Sequence, residues 1–175
     1  GEAKELYRQY TSELSQLTLT FGQNALAATN AFSLNITDEA KVAELPDFVK
    51  EGLAADAAAR GQQGWTVTLD APSYGPFMTY SSQRDLKEQL YKAYNTRGVG
   101  GEFDNTQYII DIVNTRLALA QLFDKACHAD KSLTKTCAEN KENVMNFLDQ
   151  LRESYMPVAQ QEVAELQEFA KGKGF

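Results

Sequence analysis

The chain has 175 residues, of which 43% are hydrophobic and 23% charged, a composition typical of one globular domain with its own core. Seventeen basic against 24 acidic residues give a net charge of −7 without a dense basic patch, so a nucleic-acid partner is not expected. No apolar run is long enough to cross a membrane, and the first residues do not form a signal peptide. We therefore predict a single domain, 1–175, with a cytoplasmic location as the default and no membrane partner.

The first predicted element is a long helix from Glu2 to about Ala31. Its apolar residues recur at steps of three and four, and they line one face. These residues are Leu6, Tyr10, Leu14, Leu17, Phe21, Ala25, Ala28 and Phe32. Such a face usually packs against a core, and a coiled-coil partner is the alternative.

Two short segments and a second helix follow the long helix. Ser33–Ile36 is a connector that can be extended, and Thr37 can cap a short helix that has acidic residues in its first turn. Pro46 suits the first position of another helix, and Gly61 provides the residue at which that helix ends.

Residues 64–80 differ from the rest, because their pattern is not helical. Trp65, Val67 and Leu69 alternate with polar residues, which is the period of a half-buried strand. Three residues that break regular structure follow, namely Pro72, Gly75 and Pro76. Because residues 77–80 are apolar enough for a second short strand, we predict an irregular β hairpin over about 64–80. The only tryptophan should lie in the core, so Trp65→Ala should cost roughly 3–5 kcal/mol.

The next helix ends in a glycine-rich loop. Ser82 begins a possible capping box, and the helix continues to about Arg97. Glycines at 98, 100 and 101 then interrupt it. A phosphate-binding loop would need a Lys-Ser or Lys-Thr pair, whereas Glu102 and Asp104 follow and would repel phosphate. We therefore predict a flexible loop.

Two further helices complete the predicted fold. Asp104 or Asn105 caps the first, which is apolar on more than one side and should be the most buried helix. Asn140 caps the last, and Pro157 should kink it. The apolar stripe of the last helix comprises Val144, Phe147, Leu148, Leu151, Tyr155, Val158, Val163, Leu166 and Phe169. The prediction is a mainly α-helical bundle with one small β hairpin.

Few residues could carry out chemistry. His128 is the only histidine, so a His-Glu-x-x-His zinc site cannot form. Cys127, His128, Asp130 and Cys137 match no common zinc spacing, and no residue can be assigned to orient a Cys-His nucleophile. We interpret them as loop residues, and we predict no catalytic, cofactor-binding or metal-binding residue in this chain.

Charged pairs are more common but have simpler explanations. The carboxylate pairs are Asp38 with Glu39, Asp85 with Glu88, and Glu139 with Glu142. They lie at predicted helix starts or on polar faces, where capping and solvation explain them. Arg84 and Arg97 flank one helix, and each is predicted to pair with a carboxylate.

A family resemblance is centred on the predicted hairpin. Residues 64–77 read Gly-Trp-x-Val-x-Leu-x-x-Pro-x-Tyr-x-Pro-Phe, and Arg84 follows. The other matching positions are Phe21, Asn24, Leu45, Pro46, Leu86, Tyr91, Ala93, Tyr94, Arg97, Phe103, Asp104, Asn105, Arg116, Leu119, Ala120, Leu122, Val144, Phe147, Leu148 and Leu151. In order and spacing they make nearly the whole chain resemble the thimet oligopeptidase, peptidyl-dipeptidase and oligopeptidase A family of zinc metallopeptidases.

The resemblance implies a largely helical, two-lobed peptidase with a deep channel for short peptides. In that family the His-Glu-x-x-His motif and a further glutamate lie in the later part of the chain, and none of those positions occurs here. The chain resembles part of the amino-terminal lobe, which implies one wall of the channel. The implied partner is the carboxyl-terminal catalytic half, with zinc expected only in the full-length parent.

One segment departs from the family pattern. Asp124 and Lys125 stand where a glycine and an aromatic residue are expected, and Cys137-Ala138 replaces Met-Ala. The packing of residues 123–138 should therefore differ from that of the family.

Two functions remain open at this point. The first is a non-catalytic fragment of a zinc-dependent oligopeptidase. The alternative is a free-standing helical interaction module without enzymatic activity. In either case we expect no tight zinc binding and an exposed apolar face that allows self-association. That face should lie on the stripe ending at Phe169 and Phe175, or on the outer side of the first helix.

Overall fold

The structure, a computed structural model, describes residues 1–174 and confirms a mainly α-helical fold with one small antiparallel sheet. In chain order the elements are α1 (Glu2–Ala31), β1 (Ser33–Ile36), a 3₁₀ turn (Glu39–Lys41), α2 (Asp47–Ala59), β2 (Trp65–Thr68), α3 (Ala71–Tyr80), α4 (Arg84–Asn95), α5 (Thr106–Gln121), α6 (His128–Leu133) and α7 (Lys141–Gly172). Within residues 1–174, none of the helices has the length and hydropathy needed to span a membrane. Phe175, part of the predicted apolar face, lies outside the described residues.

The chain divides into two compact units. One is formed by Thr11–Asn114, and the other by Gly1–Tyr10 together with the chain from Thr115 onward. The single domain over 1–175 stays a prediction.

The predicted strand at Trp65 is confirmed, but its predicted partner is wrong. β2 pairs with β1 in an antiparallel register that aligns Ser33 with Thr68 and Ile36 with Trp65. Residues 71–80 form α3 instead of a second strand. Helix wins there because Pro72 lies in the first turn, where its missing N–H has no helical partner, and because Phe77 is completely buried.

The core of Thr11–Asn114 lies where α2, α3 and α4 meet the sheet. Its buried members are Ile36, Val42, Leu45, Val49, Leu53, Val67, Leu69, Phe77, Leu86 and Leu90. Trp65 is half-buried and packs against this cluster, so it is less central than the sequence suggested.

The helix ends agree with the sequence in part. Asn140 caps α7, since its side-chain oxygen accepts the N–H of Asn143 at 2.9 Å. Gly61 follows the end of α2 with a φ of +66°, as predicted. The capping box at Ser82 is wrong, because Gln83 occupies the N-cap position of α4 and no side chain caps this helix.

In the second unit, polar contacts connect α6 with the start of α7. Lys141 at the start of α7 forms a 3.0 Å ion pair with Asp130 of α6. Asp130 also accepts the thiol of Cys127 at 3.3 Å. No residue of α7 is buried, although the helix is 32 residues long. Pro157 lies inside α7, and its predicted kink stays a prediction.

Among the described helices α5 has the most buried residues, Ile112, Thr115, Leu119 and Ala120, as predicted, but its burial is one-sided. Its buried side chains include Ile112 and Leu119, whereas Ile109, Ile110 and Val113 are 47% to 57% exposed. The apolar residues on several sides of α5 therefore identify two apolar faces, only one of which is covered within residues 1–174.

Candidate functional site

Two separated family motifs meet at Asn105. Its side-chain N–H donates to the carbonyl oxygen of Phe21 at 3.0 Å, and its side-chain oxygen accepts from Asn24 at 3.1 Å. Its backbone N–H donates to the carbonyl of Gly98 at 2.8 Å. Because Asn105 is only 3% exposed, these bonds satisfy a buried amide, and they fix the glycine-rich loop against α1.

The central motif also has a structural explanation. Gly64 has a φ of +85°, and a Cβ at this position would overlap the carbonyl oxygen of Ile36 on the paired strand. The hydroxyl of Ser73 accepts the backbone N–H of Thr68 at 3.0 Å and ties α3 to the end of β2. Residues 64–77 therefore form a compact strand-to-helix turn.

Arg97 is held by aromatic rings, contrary to the predicted pairing with a carboxylate. Its guanidinium carbon lies 3.8 Å from the ring centre of Tyr94, and that ring stacks on Tyr74 with a 4.3 Å centroid separation. In residues 1–174, neither Arg97 nor Arg84 has a carboxylate oxygen within 4 Å. Burial raises the pKa of Tyr74, as do Tyr94 and Tyr91, while Arg97 opposes the rise.

A carboxylate of the glycine-rich loop binds N–H groups within the same loop. The carboxylate of Asp104 accepts the backbone N–H of Gly100 at 3.0 Å, and the N–H and hydroxyl of Thr106 at 3.0 and 2.7 Å. The hydroxyl contact is the main reason why the pKa of Asp104 is lowered. A bound carboxylate thus occupies donors that a phosphate would need, which supports the loop interpretation.

The side chains near His128 that were considered as metal ligands each make different contacts. The Nε2 atom of His128 lies 3.2 Å from the Ser132 hydroxyl, while its Nδ1 atom is buried with no hydrogen-bond partner in the part of the chain that the structure describes. Cys137 is exposed, and Cys127 contacts Asp130. Residues 1–174 contain no group of three or more His, Cys, Asp or Glu side chains placed to share a metal ion.

The environment of His128 disfavours its charged form. Burial lowers its pKa, and the positive charges of Arg116 and Lys131 lower it further. His128 also lines an apolar cavity of about 460 Å³ between α6 and the first turns of α7, with Leu133 and Val144 among its walls. A neutral imidazole in this position suits packing between helices.

The largest exposed apolar surface of the second unit lies on α7. The α7 stripe is defined by Phe147, Leu148, Leu151, Tyr155, Val158, Leu166 and Phe169, which are spaced for one helical face. Their exposed fractions range from 38% for Leu151 to 67% for Tyr155. The helix measures about 48 Å at 1.5 Å per residue. A continuous stripe of this kind is a candidate contact surface.

The unit Thr11–Asn114 presents smaller apolar surfaces. Ile109, Ile110 and Val113 share one exposed face of α5, next to the buried side that carries Ile112. Leu19 and Leu26 of α1 are 54% and 61% exposed, in agreement with the predicted outer face of the first helix. The sequence signal for the α5 face was its excess of apolar residues, which we interpreted as deep burial.

Comparisons with known proteins agree with the motifs. Residues 77–174 match the model of Peptidase family M3. Oligopeptidase A from Salmonella typhimurium and that from Escherichia coli are each 36% identical to this chain over 177 residues, which represent 98% of this chain and 26% of the relative. Organellar oligopeptidase A from Arabidopsis thaliana is 33% identical over 180 residues, 99% of this chain and 23% of that protein. The chain thus spans about a quarter of these relatives and aligns with their amino-terminal part.

Proposed function

Since this chain belongs to peptidase family M3, we propose that it forms part of the amino-terminal lobe of a zinc-dependent oligopeptidase and contributes no catalytic residue. The main support is the alignment of 98% of the chain with 26% of oligopeptidase A, at 36% identity. In this proposal the chain forms one wall of a channel that admits short peptides. The parent protein acts in the cytoplasm.

The catalytic half of the parent supplies the missing chemistry. Peptide hydrolysis needs a group that activates water and donors that hold the developing oxyanion. A zinc ion bound elsewhere in the parent would provide the first. The residues near His128 do not fit a zinc site, because Cys127 is bonded to Asp130 and Cys137 stands apart as an exposed thiol.

The partner of this chain in the proposal is the carboxyl-terminal half. The α7 stripe and the α5 face of Ile109, Ile110 and Val113 are the surfaces that this half would cover, since apolar stripes of such length usually mark an interaction site. Without the partner, the same surfaces should bind a hydrophobic dye or join two copies of the chain. A strictly monomeric chain with no dye response would favour a self-contained interaction module.

An activity comparison tests the proposal directly. We expect residues 1–175 to cleave no short peptide above a no-protein control, with or without zinc. We expect zinc-dependent cleavage from the same chain extended by a carboxyl-terminal half. Cleavage by residues 1–175 alone, surviving repurification and lost in His128→Ala, would overturn the proposal. A gene whose reading frame stops after Phe175 would favour the module instead.

Zinc content provides a separate test. After dialysis against a weak chelator, residues 1–175 should retain much less than one zinc per chain. The matched variant is Cys127→Ser, which removes the best candidate ligand. A full equivalent of zinc that disappears in this variant would contradict the proposal.

A further inference from the structure

The proposed function assigns no role to a cavity in the unit Thr11–Asn114. This cavity has a volume of about 320 Å³ and lies between α1, the end of α4 and the glycine-rich loop. Its apolar walls are formed by Ala28, Ala31, Phe32, Leu69, Ala93 and Phe103. Two charged side chains also line it, Arg97 and Glu102.

Arg97 is oriented for recognition by its aromatic neighbours. Its guanidinium carbon lies over the Tyr94 ring, 3.8 Å from the ring centre, and Tyr94 is itself stacked on Tyr74. Stacking uses the face of the guanidinium and leaves the N–H donors along its edge available. Because no carboxylate oxygen of residues 1–174 lies within 4 Å of Arg97, its edge forms no ion pair in the part of the chain described.

The combination of a planar cation and apolar walls specifies a ligand class. A carboxylate matches the guanidinium edge through two parallel hydrogen bonds. An apolar group attached to that carboxylate would be removed from water against Phe32, Leu69 and Phe103. Glu102 adds a negative charge to the lining, which disfavours a ligand with a second negative charge.

We propose that Arg97 and this cavity form a binding site for a monocarboxylate that carries a small apolar group, such as the carboxyl-terminal residue of a short peptide. Arg97 binds the carboxylate, and Tyr94 and Tyr74 hold the guanidinium in place. The site needs neither zinc nor the catalytic half of the parent. It therefore goes beyond the proposed function and can be tested without it.

The test uses two probes of nearly the same shape, N-acetyl-leucine, which carries a carboxylate, and N-acetyl-leucinamide, which carries a neutral carboxamide in its place. They are titrated into residues 1–175 while the NMR signals of the arginine side chains and the backbone are recorded. We expect the acid to bind at least about tenfold more tightly than the amide, since hydrogen bonds between two charged groups exceed neutral ones. The shifts should centre on Arg97 and Ala93.

Variants separate recognition from folding. Arg97→Gln should abolish the preference for the acid, and Arg97→Lys should keep a weaker preference because lysine acts as a point charge. The matched control Arg84→Gln should bind the acid as tightly as the unsubstituted chain does. Glu102→Gln should tighten binding of the acid by removing repulsion.

Three results would each overturn the proposal. The first is no binding of the acid at any soluble concentration. The second is equal binding of acid and amide. The third is a preference for the acid that persists in a folded Arg97→Gln variant. Because the probes need no peptidase activity, a missing catalytic function in the extended chain would leave these readouts unchanged.

Discussion

In the unit Thr11–Asn114, ten apolar side chains from helices, sheet and connecting turns form a buried cluster, whereas α7 of the second unit buries none of its residues. Both regions have the same kind of sequence, with apolar residues repeated at helical spacing. The difference shows that such a pattern identifies which face of a helix must be buried against another surface. It does not identify where that surface comes from, which depends on elements distant in the chain or on another protein.

Paired phenylalanine substitutions should show the contrast most strongly. Phe77 is completely buried and Phe147 is 59% exposed. Phe77→Ala should lower the free energy of unfolding by about 3–5 kcal/mol, because it leaves a cavity in the core. Phe147→Ala should change it by less than about 0.5 kcal/mol. Urea unfolding of residues 1–175 measures both, and similar losses from the two variants would remove the distinction between the units.

A pair of asparagines tests the same comparison with polar groups. Asn105→Ala should cost about 1–3 kcal/mol, because it removes a buried amide together with its bonds to the Phe21 carbonyl and to Asn24. The control is Asn143→Ala in the second unit, where an exposed asparagine donates to the carbonyl of Ala138 at 2.9 Å. Its loss should be smaller, since water can replace the bond. A double-mutant cycle of Asn105 with Asn24 should show coupling, and strictly additive effects would contradict the bonded pair.

The two helix ends at Gly61 and Asp124 offer a smaller test. After both helices the chain turns with positive φ, 66° at Gly61 and 55° at Asp124, and the next residue donates back to the last helical turn. Gly61→Ala should destabilise by about 1 kcal/mol, whereas Asp124→Gly should stabilise by up to about 1 kcal/mol. Thermal unfolding measures both changes. The two substitutions should change the stability in opposite directions. Stabilisation by Gly61→Ala would therefore contradict the interpretation that positive φ favours glycine at both helix ends.

The smallest expected effect is a pH dependence confined to the second unit. The pKa of His128 is lower in the folded chain than its ordinary value, so protonation favours the unfolded state. Its contribution to stability is complete above the unfolded pKa near 6.5 and is lost as pH falls through the folded pKa. Urea unfolding at several pH values should show this decline in the free energy of unfolding of the unsubstituted chain. The decline should be reduced in His128→Gln, and an unchanged pH profile in that variant would exclude His128 as its cause.

The local features of the fold were predictable from the sequence. The alternation of Trp65, Val67 and Leu69 gave the correct strand, and Gly61 and Asn140 gave correct helix ends. The partner of this strand was not predictable, because Ser33–Ile36 is distant in sequence and carries only one buried apolar residue. Proline placement alone also misled the prediction for residues 71–80. There the burial of Phe77 and the Ser73 bond to β2 outweigh a weak helix propensity.

The candidate surfaces were less predictable than the fold. The apolar residues of α5 were visible in the sequence, but the exposure of Ile109 and Val113 requires knowing which elements of the chain cover the helix. Arg97 was visible within a motif, and its contact with Tyr94 is local, three residues away. The stacking of Tyr94 on Tyr74, however, depends on α3 and α4 meeting side by side. The glycine expected at position 124 was a correct signal, since the positive φ of Asp124 explains that preference.

The pairing of β1 with β2 also has a consequence for the order of folding events. Residues 37–64 separate the two strands, and α2 lies within that interval. Closing a chain segment of this length costs about 3 kcal/mol of chain entropy before any ladder bond forms. Packing of α2 on β2 shortens the distance that β1 must search, so the helix should form before or together with the sheet. The slow step in folding Thr11–Asn114 is therefore expected to be the docking of β1, a non-local event in a largely helical unit.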